Sequence, residues 1–337
     1  MTLISQYSEI GVHPHVFSEY NIQINNLSKI KSIIKIETEV GKFALKKTKV
    51  TDEQVNRMMT IIKFLDDNRF PVSEIIPNKY GELYVPTLDG IIYLTKWIEG
   101  KAFSINDNKH LALAISTLAN LHKLGFGFDP KELKYQYIEE TFIKKSWIES
   151  IDWLKKYQKR LELKESNTAF EHIFRTYIPF LRNWAEEAVE HLNDWVIEYN
   201  SIRDIRKTIC HGKYYHRNIV ITPDDYLILI DFDHVGLDTP VRDIAFFIRN
   251  YLLSKEYQKW VEIWINTYLK INPLLAYEKK LLLIYLLFPE KIINLAKRYE
   301  KKQKNLSDEI YFKKLQVRWA QTKELIWFVD RQGWLYE

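Results

Sequence analysis

Three groups of residues in this sequence have the types and spacing to handle phosphate. The run "KFALKKT" (Lys42–Thr48) carries Lys46, a cation on a flexible stem able to hold phosphate oxygens. The stretch "CHGKYYHRN" (Cys210–Asn218) ends in Asn218, and "LILIDFD" places Asp231 thirteen residues further on, the distance one hairpin spans. Asparagine and aspartate supply the hard oxygens that magnesium requires. In this order, the three residues form the set that binds a nucleotide with its metal and positions a phosphoryl group for transfer. Five residues before the asparagine, such a site needs a carboxylate to orient or deprotonate the accepting hydroxyl. Here that position is Lys213. An ammonium accepts no proton at neutral pH unless its pKa is strongly lowered. Lys213 and its neighbour His211 are the candidate catalytic side chains, and His211 is more simply read as a packed residue anchoring the loop.

The elements that must position these groups change character near residue 100. Before it come strand-like runs, Ser32–Glu39, Lys42–Thr48, "ELYVP" and "IIYLTKWI", with turns at Val40-Gly41 and Asp89-Gly90. Between them "TDEQVNRMMTIIKFLDDN" has a helical apolar stripe, with Thr51 as N-cap and Asp52 and Glu53 in the first turn. Beyond Gly100 the periodicity is helical near 108–124, 141–160, 168–196, 255–270, 274–287, 289–303 and 307–329. One β-like hairpin, "NIVIT" and "YLILIDF", interrupts it. Asp224 and Asp225 form its turn, and His122 in "LANLHKLG" reads as a packing residue at a helix end.

Composition bounds the reading. With 46% hydrophobic and 28% charged residues among 337, the chain is globular. A net charge of +5, from 49 basic and 44 acidic residues, gives no argument for nucleic-acid binding. Cys210 is the one cysteine, so no intrachain disulfide forms, which fits synthesis in the cytosol. The start has no basic segment followed by an apolar run, and so no secretion signal is expected. The apolar run "LLLIYLLF" (Leu281–Phe288) is far short of a membrane span and is expected to be a buried helix. The basic run "EKIINLAKRYEKKQKN" is most simply a solvated helix face.

The segments "YLTKWIEGKAF", "LANLHKLGFGF", "ICHGKYYHRNIVI" and "LILIDFDHVGLDTPVRDIAFFIR" resemble the aminoglycoside/choline phosphotransferase superfamily over roughly residues 20–330. Within it they most resemble the CotS-like spore-coat branch of endospore-forming bacteria. The resemblance implies an α+β, two-lobed kinase-like fold. A β-rich nucleotide-binding lobe would cover 1–98 with a hinge near 95–100. A helical lobe would cover 99–337 and carry the loop hairpin 209–233. It further implies that Lys46 binds phosphate, that the backbones of Lys96 and Ile98 face an adenine, and that Asn218 and Asp231 hold Mg2+. Asp243 would brace the catalytic loop. Asp233, where protein kinases place a glycine, points to the small-molecule branch.

Three departures accompany Lys46, Asn218 and Asp231. Lys213 replaces the base. The segment "NIQINNLSKIKSIIKI", which would cover the nucleotide, contains no glycine. The helix after Lys46 offers only Glu53, in its first turn, as a glutamate partner. The sequence thus reads as a degenerate, spore-coat-associated kinase-fold protein. It would be made in the mother-cell cytoplasm, act through contacts with coat proteins, and have weak or lost ATP and Mg2+ binding. The rival readings are an active phosphotransferase for a small hydroxyl- or amine-bearing substrate, and a basic module binding an anionic polymer through 291–304. No membrane span is expected.

Overall fold

In the run Ile33–Thr38, Ile34 and Ile36 are buried and their neighbours half-buried, the period of a strand with one covered face. In the computed structural model this run is the second strand of a mixed α and β architecture. The structure describes residues 12–332 apart from 89, 105–106, 130, 132, 134–139, 200–204, 252–254 and 302–305. In chain order the first elements are α1 (Pro14–Ser18), β1 (Ile24–Ile30), β2 (Ile33–Thr38), β3 (Gly41–Thr48), α2 (Asp52–Asp67), β4 (Ile75–Ile76), β5 (Val85–Thr87), β6 (Gly90–Lys96), β7 (Lys101–Ala102) and α3 (Asn108–Gly125). Then come α4 (Glu140–Glu162), α5 (Ala169–Tyr199), β8 (Thr208–Cys210), β9 (Ile219–Ile221), β10 (Leu227–Leu229) and β11 (Gly236–Asp238). The helices α6 (Val241–Tyr251), α7 (Lys255–Ile271), α8 (Ala276–Leu287), α9 (Glu290–Glu300) and α10 (Asp308–Gln332) complete the chain.

The chain divides into two units. The first comprises Met1–Leu121, Gly127–Gln136 and His211–Gly236. Its antiparallel sheet runs β1-β2-β3-β6-β4, with β5 also paired to β6. Leu45, Ile36 and Leu94 are wholly buried on one sheet face, where Val16 and Phe17 of α1 join them. Truncating any of the three to alanine would cost about 2–5 kcal/mol. A second sheet, β10-β9-β7, belongs to the same unit and carries the loop hairpin. A parallel bridge between Val72 and Leu229 ties it to the segment leading into β4. The expected cap of α2 is present: Thr51 Oγ1 accepts from the Gln54 N–H while the Gln54 side chain accepts from the Thr51 N–H. Asp89, expected in a turn, lies outside the described residues.

The second unit comprises His122–Phe126, Tyr137–Cys210 and Leu237–Glu337. Along α5 the buried residues Phe170, Phe174, Ile178, Leu181, Ala185, Ala188, Leu192 and Trp195 recur every three or four positions, one continuous stripe. Pro179 lies on the exposed side of that helix. The run Leu281–Phe288 forms the end of α8 and is buried on every side, as its composition requires. No described helix is long and apolar enough to cross a membrane. In the first turn of α8, the fully buried carboxylate of Glu278 takes two bonds from Arg206, Nε at 2.7 Å and Nη2 at 2.6 Å.

Candidate functional site

The site is assembled within the first unit by two antiparallel hairpins. In β3 successive side chains point to opposite faces, so Lys46 and Thr48 share the face opposite Leu45. Register places Lys46 between Ile33 of β2 and Tyr93 of β6. In the other hairpin Ile219 pairs with Leu229, which sets Asn218 beside Ile230 at its open end. The Ile230 N–H donates to the Asn218 carbonyl at 3.0 Å, and the Ile230 carbonyl accepts from His211 Nε2 at 3.1 Å. Asp231 follows directly, with φ of 69°, the left-handed conformation that aspartate tolerates better than most residues.

Lys46 therefore meets the hairpin end. Its ammonium pairs with Asp231 and, at 2.9 Å, with Asp233. Asp233 also accepts from Thr48 Oγ1 at 2.8 Å and from the Tyr93 hydroxyl at 2.9 Å. Burial pushes the Asp233 carboxyl up, but the Lys46 charge and these three donors outweigh it and hold it below the usual carboxylate range. Burial, and then the Asp233 charge, keep the Tyr93 hydroxyl protonated. The ion pair that the sequence assigned to a helical glutamate is thus made by Asp231 and Asp233. Thr48 and Tyr93 are site residues that sequence reasoning missed, although Thr48 lies two residues from Lys46 on the same strand.

The loop residues divide by role. His211 is fully buried; besides the Ile230 carbonyl it meets the Lys213 N–H, which donates to Nδ1 at 3.3 Å. Both ring nitrogens face backbone groups, the arrangement of an anchor. Asn218 Nδ2 donates to the Lys213 carbonyl at 3.0 Å. Tyr214 packs, its hydroxyl donating to the Ala114 carbonyl at 2.6 Å. The Lys213 side chain is half-buried. Its charge acts on His234, whose imidazole is lowered first by burial and then by Lys213, against Asp233 and Asp231. Lys213, Lys46, Asp231 and Asp233 thus share one electrostatic neighbourhood. Gly212 lets the loop approach that segment, with φ of +77° and a position where a Cβ would lie 2.2 Å from the His234 carbonyl oxygen. Gly212→Ala should cost about 2–4 kcal/mol in a thermal or urea melt. Gly81→Ala, with a similar φ of +82° but nothing within 4 Å, isolates the backbone cost alone. Equal losses in the two variants would refute the close approach.

A cavity of about 370 Å³ adjoins the Lys46–Asp231 pair, with Ile33, Ala44, Ile75, Ile219 and Phe232 among its apolar walls. Arg217, Lys96 and Ile98 also line it. Its size and apolar character suit a flat heteroaromatic ring with a charged group at the Lys46 end. The Lys96 backbone is engaged, its N–H donating to the Glu74 carbonyl and its carbonyl accepting from Ser73 Oγ, each at 3.0 Å. The backbone of Ile98 meets no partner among the described residues. The β1–β2 turn is tight, two residues between Ile30 and Ile33, with Lys31 rather than glycine at positive φ.

His122, Cys210 and Asp243, in the second unit, are all buried and bring donor atoms within 4.8 Å of one another. Burial, then Asp243 and Asp238, raise the Cys210 thiol well above its usual pKa, and its sulfur lies 3.3 Å from the Thr239 carbonyl oxygen. His122 Nδ1 meets the Tyr268 hydroxyl at 2.7 Å, and Nε2 lies 3.4 Å from Asp243. A protonated thiol donating to carbonyls is a poor metal ligand. The group forms a polar brace, and His122 is the packing residue expected.

Residues 13–331 match the family model described as spore coat putative kinase YutH. The endospore coat-associated protein YutH of Bacillus subtilis (strain 168) is 23% identical over 233 residues. That match spans 65% of this chain and 65% of the relative, just under two thirds of its length. Among solved structures, an aminoglycoside phosphotransferase from Alicyclobacillus acidocaldarius superposes with a TM-score of 0.80 at 18% identity, covering 97% of each chain. Spectinomycin phosphotransferase APH(9)-Ia, solved with ADP and spectinomycin, gives a TM-score of 0.65 at 13% identity, over 96% of this chain and 99% of that one. The choline kinase LicA of Streptococcus pneumoniae gives 0.55 at 14% identity, over 96% and 98%. These likenesses establish the kinase-like phosphotransferase fold expected from the motifs.

Proposed function

We propose that this chain, which belongs to the spore coat putative kinase YutH family, is a coat-associated protein that uses a phosphotransferase fold with a degenerate site. One observation carries the reading. Lys46 pairs with both Asp231 and Asp233, and Lys213 stands in the sequence where the motif reading expects a catalytic carboxylate. Two lysines offset two carboxylates, so these four groups leave no net negative charge to attract a divalent cation. Arg217 on the cavity wall shifts the balance further toward cations. The donor set around Asn218 and Asp231 therefore does not fit Mg2+. The apolar cavity still fits an adenine, with Ile98 as the backbone contact and Lys46 toward the phosphates.

The B. subtilis relative's name supports association with the spore coat, and the proposal adds synthesis in the mother-cell cytoplasm and incorporation through contacts with coat proteins. On this reading the lobes divide near residues 98 and 99, and the site is retained for its shape. Calorimetric titration with ATP, with and without Mg2+, tests it. The expected affinity is weaker than about 100 μM and changes less than about threefold with the metal. Micromolar, Mg2+-dependent binding would instead favour an active phosphotransferase for a small hydroxyl- or amine-bearing substrate.

A further inference from the structure

The basic run that begins at Glu290 is only partly solvated. With the end of α6, its helix α9 encloses a cavity of about 320 Å³ within the second unit. Five of its lining side chains are cationic: Arg249, Lys291, Lys297, Arg298 and Lys301. Glu290 is the one acidic group among the described lining residues, and it is already paired with Arg249 Nη1 at 2.6 Å.

Arg249 is buried and Lys291 half-buried, which a solvated face does not require. Arg249 is 9% exposed; its Nη2 donates to the Tyr285 carbonyl, and its Nε meets no acceptor among the described residues. The Lys291 ammonium donates to the Arg249 carbonyl at 2.9 Å and to Asn250 Oδ1, both neutral acceptors. Burial, then Arg318 and Arg249, push Lys291 down to about 7, with Glu290 alone pulling the other way. Lys297 is partly committed to Ser150 Oγ at 2.8 Å, whereas Arg298 and Lys301 are exposed at the rim. Gathering like charges around one concavity costs stability unless a counter-ion offsets the repulsion.

We propose that this cavity is a binding site for a small phosphate-bearing anion, free or on a compact organic carrier, held by Lys291, Lys297, Arg298 and Lys301. Its volume lies at the lower end of the roughly 300–1,000 Å³ of small-molecule sites, which suits one phosphate group and a short carrier better than a nucleotide. Lysine and arginine are the side chains that recognise phosphate by charge-assisted bonds. An anion between them restores the charge on Lys291, so binding near pH 8 takes up a proton.

The test uses the full chain, titrated calorimetrically with inorganic phosphate and, separately, glycerol phosphate. Ionic strength is held constant with KCl, at pH 8, in two buffers of different ionisation heat. One saturable site is expected, with proton uptake on binding; tighter binding of glycerol phosphate would identify an organic carrier. Lys291→Met, and separately the rim pair Arg298→Gln with Lys301→Gln, should each weaken binding at least about tenfold. Lys46→Ala should leave it unchanged. Because both rim residues are exposed, that pair decides the matter if Lys291→Met fails to fold. Three results would overturn the proposal: no saturation below about 10 mM, loss of binding in Lys46→Ala, or poly-glutamate binding that phosphate does not displace. The last would point to a polymer surface.

Discussion

Replacing Arg206 with methionine is expected to remove about 3–5 kcal/mol of stability. Glu278 is fully buried, and its carboxylate receives both Arg206 bonds as well as the Leu275 N–H at the start of α8. Burial opposes the Arg206 charge, but pairing with Glu278 outweighs it and raises the guanidinium above its ordinary value. Without the guanidinium, a carboxylate stays buried in the first turn of α8, with the Leu275 N–H as its remaining partner among the described residues. Urea denaturation reads the loss directly. The double variant Arg206→Met with Glu278→Leu should regain most of it, because an apolar pair carries no unpaired charge. A single variant within about 1 kcal/mol of the parent would show that the Arg206–Glu278 pair carries little of the stability.

Lys213→Asp is expected to change metal binding and leave turnover unchanged. The substitution moves the four-group site from balanced to two negative charges in excess, the condition under which carboxylates retain a divalent cation. Nucleotide affinity should then rise by about tenfold or more on adding Mg2+, where the parent shows little response. Phosphate release should not follow. A positioned acid/base group contributes about 10²–10⁴-fold, but only on an otherwise competent site. Here the turn over the cavity lacks glycine, and Lys46 pairs with Asp231 and Asp233. Release rising a hundredfold in Lys213→Asp would show that Lys213 alone silences the site. Turnover by the parent that disappears in Lys213→Ala would make Lys213 a working residue.

The elements legible in the sequence were those whose signals are local. Thr51 and Gln54 sit three residues apart and cap each other, and the stripe along α5 repeats over many turns. The β9–β10 hairpin could be inferred from the distance between Asn218 and Asp231. Among the elements that escaped, β1, α1 and α6 did so for physical reasons. β1 is an edge strand in which only Leu27 is buried, so it shows no alternation. α1 spans five residues, too few for a helical period. α6 is short and nearly all buried, so it shows no exposed face to mark it as a helix. In the site, Lys46 and Asp231 were legible by type and spacing. The clasp of Thr48 and Tyr93 on Asp233 was not, because it depends on which residue of β6 lies opposite Lys46. That register joins residues 47 positions apart, and no local pattern encodes it.

The helix α8 has a consequence for how the chain is made. Its end is apolar all round and is covered by α5, α6 and α10. Of these, α10 is synthesised last, and roughly 45 residues separate Phe288 from its final turn. At about 5–20 residues per second, the ribosome holds a nascent chain for several seconds in which α8 has lost its solvent-compatible alternatives but has not gained its last cover. Through that interval the segment is a ligand for hydrophobic-binding chaperones. The yield of folded protein is then set as much by the pace of translation through α9 and α10 as by the stability of the finished fold.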